Sequence, residues 1–205
     1  MGQNDAENGA FKQNLNEKIR TCKKYNPNLH IAQYNAGYAK GLKRYCDPSY
    51  AYQLGTQGVQ YHSICSPAKQ KRAHASWLRG IRLYCVPSQG YALGRKGGMF
   101  PDFCPAGLKK AFRHAYDKGH RVYRHEQDLN NKLLYVTQKI MEVQNQINAN
   151  NSKMRAIQDG SQKVTDKKLQ VSLLIVHNQE LQYELSRLTN ERDDLQRRIA
   201  NLQDE

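Results

Sequence analysis

The sequence predicts an all-α protein in which disulfide-stapled helical repeats are followed by a long antiparallel coiled-coil hairpin. Residues 36–65, moved on by 39 positions, lie over residues 75–104 without a gap and match at eleven of thirty positions. From Val122 onward, apolar residues are spaced alternately by four and three, which is the spacing of a coiled-coil seam. The duplicated residues are Ala36, Gly41, Tyr45, Cys46, Pro48, Ser49, Tyr52, Leu54, Gly55, Gly58 and Cys65.

The basic charge of the chain is confined to its first part. Residues 1–125 carry 21 Lys and Arg against 6 Asp and Glu, whereas residues 126–205 carry 11 against 12. A field of this sign attracts anions of any kind, including nucleic acid, acidic phospholipid and lipopolysaccharide phosphate, and it does not choose among them. The alternative interpretation is a basic, solvated surface without a specific ligand.

The cysteines favour an oxidising compartment. Five of them stand 24, 19, 20 and 19 residues apart, and none belongs to a Cys-x-x-Cys pair. Cysteines duplicated with a repeat indicate a disulfide framework, as in periplasmic proteins, with buried free thiols as the alternative. There is no apolar run of about 20 residues and no signal peptide. If the cysteines form disulfides, we expect a targeting segment to have been removed. The cysteines are Cys22, Cys46, Cys65, Cys85 and Cys104.

The chain divides into three parts. Residues 1–27 form an N-terminal partial unit, residues 28–106 form two 39-residue Cys/Gly/Tyr repeats, and residues 107–205 form a third half-repeat that runs into the hairpin. Each full repeat is predicted to contain a helix, a turn at its Cys-x-Pro-Ser sequence, and a short glycine-bearing helix or irregular coil. The predicted helices are about Phe11–Lys24, from about Asn28 to Tyr45, and Ala68–Tyr84; the first predicted turn reaches Tyr52 and the following segment runs from Gln53 to Ile64.

The hairpin is predicted to turn near residues 159–162, with Gly160 at its tip. Folding the chain at that glycine sets Ile147 near Leu174, Ile140 near Leu181 and Leu133 near Leu188. Polar residues interrupt the seam, and a buried polar residue in such a seam commonly fixes register at a cost in stability. The interrupting residues are Glu126, Asn150, Lys167, Asn178 and Arg192.

Three motifs resemble an uncharacterised family of small envelope proteins of Gram-negative bacteria. They are Gly41-Leu42-x-x-Tyr45-Cys46, Gly55-x-x-Gly58-x-x-Tyr61-x-x-x-Cys65, and an aromatic residue before Tyr116-x-x-Gly119. The family is a domain of unknown function, and many members carry lipoprotein signals. The resemblance implies an envelope location and assigns no catalytic residue. The chain departs from the family pattern by its extra 39-residue unit and by lacking a lipid-attachment cysteine.

Two disulfide pairings fit the duplication. If each copied unit brings its own bond, Cys46 pairs with Cys65 and Cys85 with Cys104, which leaves Cys22 for an upstream partner. If equivalent places in successive units are joined, Cys46 pairs with Cys85 and Cys65 with Cys104. A straight helix would hold two cysteines 19 residues apart at about 28 Å, so the first pairing requires the chain to fold back on itself. We favour the first pairing.

The sequence offers no catalytic or metal constellation. The seven histidines lack metal-ligand spacing, and no nucleophile elbow, phosphate loop or paired carboxylates occur. We therefore predict that the protein is not an enzyme, and we predict no cofactor or metal. The glycine-rich segment that contains Arg95, Lys96, Gly97 and Gly98 is the best candidate for an anion-binding turn, because glycines let backbone amides point at an oxyanion.

The prediction for function is a structural or interaction protein of the cell envelope. In this hypothesis the basic repeats carry a coiled-coil hairpin that docks a protein partner or a second copy of the chain, in the periplasm or at the outer membrane. The alternative is sequence-independent binding of nucleic acid or another polyanion by the repeats, in which tyrosines stack on bases and cations bind phosphates. Tyrosines at repeated positions beside small residues favour a core instead.

Overall fold

The computed structural model of the protein describes residues 2–12 and 31–203. Within those residues it is all-α, with seven helices and no strand. The helix predicted from about Phe11 to Lys24 falls, beyond Lys12, outside the described residues. The helices are α1 (Gly2–Glu7), α2 (Ile31–Tyr45), α3 (Pro48–Thr56), α4 (Pro67–Tyr84), α5 (Pro87–Arg95), α6 (Ala106–Gln158) and α7 (Lys167–Gln203).

The turn predicted through Tyr52 is instead the beginning of helix α3. Asp47 has an extended backbone, and its side-chain oxygen accepts hydrogen bonds from the backbone amides of Ser49 and Tyr50. Pro48 follows at the first helical position, where its missing N–H costs nothing. The Cys-x-Pro-Ser sequence therefore ends one helix and begins the next within two residues. The end of the first helix was predicted, but the start of the second was not.

Short helix α3 crosses long helix α4 at a pair of glycines. A Cβ atom added to Gly80 would lie 2.2 Å from the carbonyl oxygen of Tyr52, and one added to Gly55 would lie 2.4 Å from that of Trp77. No side chain fits in such a gap. Glycine inside a helix costs about 1 kcal/mol relative to alanine, and here it allows the two backbones to touch.

The same backbone contact occurs in the neighbouring helix pairs. An added Cβ would lie 2.2 Å from the Tyr91 carbonyl oxygen at Gly119, and 2.2 Å from the Gln3 carbonyl oxygen at Gly41. Each short helix also ends at a glycine with positive φ, as in the capping motifs that favour this residue. These glycines are Gly9, Gly58 and Gly97, at φ values of 74°, 70° and 67°.

The chain forms two compact units, Met1–His120 and Arg121–Glu205. The core of the first unit contains the aromatic side chains of α2, α4 and α6 together with the cysteines, and a smaller cluster lies between α1 and α2. Residues 106–120 of α6 belong to the first unit, whereas the sequence-based division joined residues 107 onward, as a third half-repeat, to the hairpin. No helix of the described residues is long and apolar enough to cross a membrane.

The second unit consists of α7 and the remainder of α6, whose facing residues form one apolar cluster. Asn150 Nδ2 donates a hydrogen bond to Asn178 Oδ1 at 2.9 Å, and Asn178 Nδ2 donates to Asn151 Oδ1 at 2.8 Å. Asn150 therefore stands opposite Asn178. Because the helices are antiparallel, Ile147, three residues earlier on α6, stands opposite Leu181, three residues later on α7. The predicted pairing of Ile147 with Leu174 is therefore wrong by one heptad.

The length of the connection between α6 and α7 explains that error. Gly160 has a φ of 83° and follows the end of α6, as predicted. However, α7 begins only at Lys167, where Asp166 Oδ1 accepts a hydrogen bond from the Leu169 backbone amide. The connection thus spans residues 159–166 instead of 159–162, which moves α7 along α6.

Candidate functional site

Two disulfides fasten the helices of the first unit. Cys46 is bonded to Cys65 and Cys85 to Cys104, with a Cα–Cα distance of 5.8 Å in each bond. The chain between Cys46 and Cys65 folds back through α3 and the segment after it, which removes the geometric objection to this pairing. Cys22, predicted to be unpaired or bonded upstream, lies outside the described residues.

Most repeated aromatic side chains lie in the core beside these disulfides. The Tyr45 hydroxyl accepts a hydrogen bond from the His62 backbone amide at 2.8 Å, and its ring stacks on Tyr61 at 5.0 Å between centroids. Trp77 Nε1 donates to the Val59 carbonyl oxygen at 2.9 Å. Rings held in this way are not available to stack on nucleic-acid bases.

The hydroxyl of Tyr61 gives a test of this core. Burial, together with the nearby Tyr45, raises the pKa of Tyr61 to about 12, whereas an exposed tyrosine has a pKa near 10. The fold favours the neutral hydroxyl, so its contribution to stability is complete below pH 10 and is lost as the pH rises to about 12. We expect the free energy of unfolding to fall by about 1 to 3 kcal/mol over that range.

Urea unfolding followed by Trp77 fluorescence, repeated between pH 9 and pH 12, measures this loss. Tyr61→Phe removes the titrating hydroxyl, so the free energy of unfolding should fall less steeply with pH. Part of the fall should persist, because other buried tyrosines also titrate. Identical pH profiles for wild type and Tyr61→Phe would contradict the assignment.

The predicted anion-binding turn at the end of α5 does not have free amides. The backbone amide of Lys96 donates to the Ala92 carbonyl oxygen, that of Gly97 to Gly94, and that of Gly98 to Leu93. These bonds cap the C-terminus of the helix, where carbonyl groups give a partial negative charge. The amides of Lys96, Gly97 and Gly98 therefore do not supply the predicted anion-binding turn, because the glycines are used to end a helix. An anion contact by the side chains of Arg95 and Lys96 stays a prediction.

Four of the six acidic residues of the first unit have partners in the structure. Glu7 pairs with Arg44 at 3.3 Å, and Asp102 pairs with Lys109 at 2.6 Å. Asp5 accepts a hydrogen bond from the Tyr34 hydroxyl at 2.8 Å. Asp47 accepts hydrogen bonds from the backbone amides that begin α3. With 19 Lys and Arg against 6 Asp and Glu in residues 1–120, the first unit stays strongly basic after these pairs are counted.

A groove of about 500 Å³ opens on the surface of α3 and α4. Arg79 lines it, and its Nη2 donates to the Oγ of the buried Ser76 at 3.0 Å. Tyr52, at 38% exposure, also lines the groove, which makes it an exception among the tyrosines described above. Pro48, Ser49 and Gln53 complete the lining.

In the second unit, five of the six predicted seam residues belong to the apolar cluster between α6 and α7; Leu174 is the exception. Ile147, Leu181 and Leu188 are buried, and the other three predicted seam residues are half-buried. The half-buried residues are Leu133, Ile140 and Leu174.

The sequence analysis missed a second line of apolar residues on α7. Four of its large hydrophobic side chains are more than half exposed and are spaced by four, three and seven. This spacing was visible in the sequence, but the stronger seam of the same helix obscured it. We call these residues the α7 stripe: Leu169 at 53%, Leu173 at 56%, Val176 at 53% and Tyr183 at 78% exposure.

Within residues 2–12 and 31–203, no group of three His, Cys, Asp or Glu side chains is placed to hold a metal ion. The candidate functional sites are two surfaces: the groove on α3 and α4 of the basic first unit, and the α7 stripe of the second unit.

A family model described as a protein of unknown function matches the chain twice, over residues 1–82 and over residues 74–121. No curated protein and no solved structure matches it.

Proposed function

This chain belongs to the DUF2799 family of proteins of unknown function, and we propose that it is a non-enzymatic scaffold or adaptor of the bacterial cell envelope. In this proposal, helical repeats stapled by disulfides carry an antiparallel coiled-coil hairpin that docks a protein partner. The observation that carries the proposal is the α7 stripe.

The hairpin interpretation is supported by the contacts between α6 and α7. The clustered side chains recur at four- and three-residue spacing on both helices, which is the pattern of knobs-into-holes packing. The buried Asn150 bonds to Asn178 across the pair, and a polar pair of this kind penalises slippage because any other register leaves its amides unsatisfied.

The α7 stripe lies away from this seam. Leu181 packs in the apolar cluster with α6, and Val171 and Leu174 are half-buried at the preceding seam positions. Leu173, Val176 and Tyr183 each lie two residues after one of these positions and are exposed. A single exposed apolar residue on a helix needs no explanation, but a line of them at heptad spacing matches the anchors that one helix offers to another. We expect an amphipathic helix of a partner to cover it.

The disulfides support the proposed location. Two bonds in the first unit are typical of proteins that mature in an oxidising compartment, which is compatible with the periplasm or the extracellular space. We propose the periplasm, with association to the outer membrane through the partner.

Charge placed on the stripe tests the scaffold function. Leu173→Glu/Val176→Glu should weaken binding of the partner at least tenfold, because two carboxylates would have to be desolvated in an apolar contact. Partners are captured by affinity purification after crosslinking in cells, and self-association is measured by light scattering.

The control is Gln179→Glu/Gln182→Glu, which adds the same charge at exposed positions of the same helix. Helical content by circular dichroism should be equal in all three proteins. If the stripe variant keeps every partner and the oligomeric state of the wild type, the proposal fails.

A second candidate function is polyanion binding by the first unit. Residues 1–120 carry 19 Lys and Arg against 6 Asp and Glu, and four of these carboxylates have the structural partners described above. Binding to an anionic polymer should then fall steeply as the salt concentration rises. Absence of binding at low salt would remove this candidate.

A further inference from the structure

The groove beside α3 presents a cation that is already held in place. The hydrogen bond from Arg79 Nη2 to Ser76 Oγ orients the guanidinium group, and a guanidinium has five N–H donors in total. The remaining donors suit the oxygens of phosphate, which a guanidinium binds through two parallel hydrogen bonds. The hydroxyl of Ser49 and the amide of Gln53 line the same groove and add further donors.

This cation occupies a position that recurs in the other helix pairs. Arg79 immediately precedes Gly80, the glycine that touches the Tyr52 backbone where α3 crosses α4. Lys118 precedes the crossing glycine of α6, which touches the Tyr91 backbone in the same way. Because equivalent contacts fix the three crossings, the three cations occupy equivalent places on α2, α4 and α6. We call them the cation row: Lys40, Arg79 and Lys118.

The cation row is exposed, and within the described residues its members form no ion pair, although Asp117 precedes Lys118 in the sequence. All three residues are in the exposed class, and among the residues that the structure describes, none of the three lies within 4 Å of a carboxylate oxygen. Arg44 and Lys109, by contrast, are each paired with an acidic residue. The row can therefore bind an external anion without first breaking an ion pair.

We propose that the cation row is a binding site for a linear polyanion whose phosphate groups follow one another along a chain. One phosphate binds in the groove at Arg79, and neighbouring phosphates bind at Lys118 and Lys40. Tyr52, which lines the groove with Arg79, adds ring surface for the organic part of a phosphodiester. This inference rests on the second candidate function and deepens it.

The test compares two triple variants that remove the same charge. Lys40→Gln/Arg79→Gln/Lys118→Gln removes the row, and Lys69→Gln/Lys71→Gln/Lys110→Gln removes three exposed cations elsewhere on α4 and α6. Binding of a labelled single-stranded oligothymidylate is measured by fluorescence anisotropy at several salt concentrations. A parallel measurement with inorganic polyphosphate, which has no rings, separates the contribution of the phosphates from that of the bases.

We expect the row variant to raise the Kd for oligothymidylate at least tenfold and to reduce the slope of log K against log salt by about 2, since each lost contact contributes roughly 0.7 for a single strand. The control variant should change Kd less than threefold. If the row variant loses affinity for polyphosphate to a similar extent, the site recognises phosphate alone. If it loses affinity only for oligothymidylate, aromatic rings also take part in binding.

If the two triple variants lose binding affinity equally, the cation row is not the binding site, but the second candidate function is still supported. If the wild-type protein binds neither probe at low salt, both fail. Circular dichroism and thermal unfolding of each variant establish that the fold is intact, which is expected because all six positions are exposed.

Discussion

Replacing both Cys85 and Cys104 by serine is expected to lower the free energy of unfolding of the first unit by about 3 kcal/mol. The bond closes a loop of 19 residues, and the loss follows from the chain entropy that an unfolded protein regains when such a loop is opened. The Cys46–Cys65 bond closes a loop of the same length, so the equivalent serine pair should cost about as much.

Guanidinium unfolding followed by fluorescence measures this effect, because Trp77 is the single tryptophan and contacts Phe103 next to Cys104. Reductant should destabilise the wild type by more than either pair of serine substitutions does, since it opens both loops. Reductant should also destabilise each serine variant, through the one bond that remains. A serine variant that unfolds at the same denaturant concentration as the oxidised wild type would contradict this account.

The second large effect is expected for Gly80→Ala, which should destabilise the first unit by about 2 to 3 kcal/mol. The new Cβ would lie 2.2 Å from the Tyr52 carbonyl oxygen, so α3 and α4 would have to move apart. Overpacking of this kind typically costs 1 to 3 kcal/mol, which exceeds the gain in helix propensity.

Gly107→Ala is the matched control. Gly107 also lies in a helix, but no atom comes within 4 Å of an added Cβ. This substitution should raise stability by up to about 1 kcal/mol, because alanine loses less backbone entropy on folding. Destabilisation of both variants to the same extent would show that helical glycines matter here for a reason other than close approach.

The sequence was most informative where a residue type has one physical use. Glycine is unfavourable inside a helix, yet Gly41 recurs at Gly80 within predicted helices, and the structure places each against a backbone carbonyl oxygen. Cysteines duplicated with their surroundings predicted a disulfide framework, and two disulfides are present. Residues with several uses misled the analysis: Gly97 resembles part of an anion-binding loop, but it ends a helix.

The candidate sites were predicted less well than the fold class. The sequence indicated that the first unit is basic, but it did not distinguish Arg79, which lines a groove and is held by Ser76, from Arg44, which pairs with Glu7. The register of α6 against α7 was also missed. Heptad spacing is unchanged by a shift of seven residues, so it cannot fix where the second helix begins.

The sequence by itself determined the all-α class, the uneven charge, and the glycine and cysteine positions that recur at 39 residues. These follow from local chemistry and periodicity, which are properties of short stretches of chain. Only the tertiary structure decided which cysteines are bonded, which cations are paired with an acidic side chain, and which apolar residues of α7 stay exposed. Each of these depends on contacts between residues far apart in the chain, and the spacing of one segment carries no information about them.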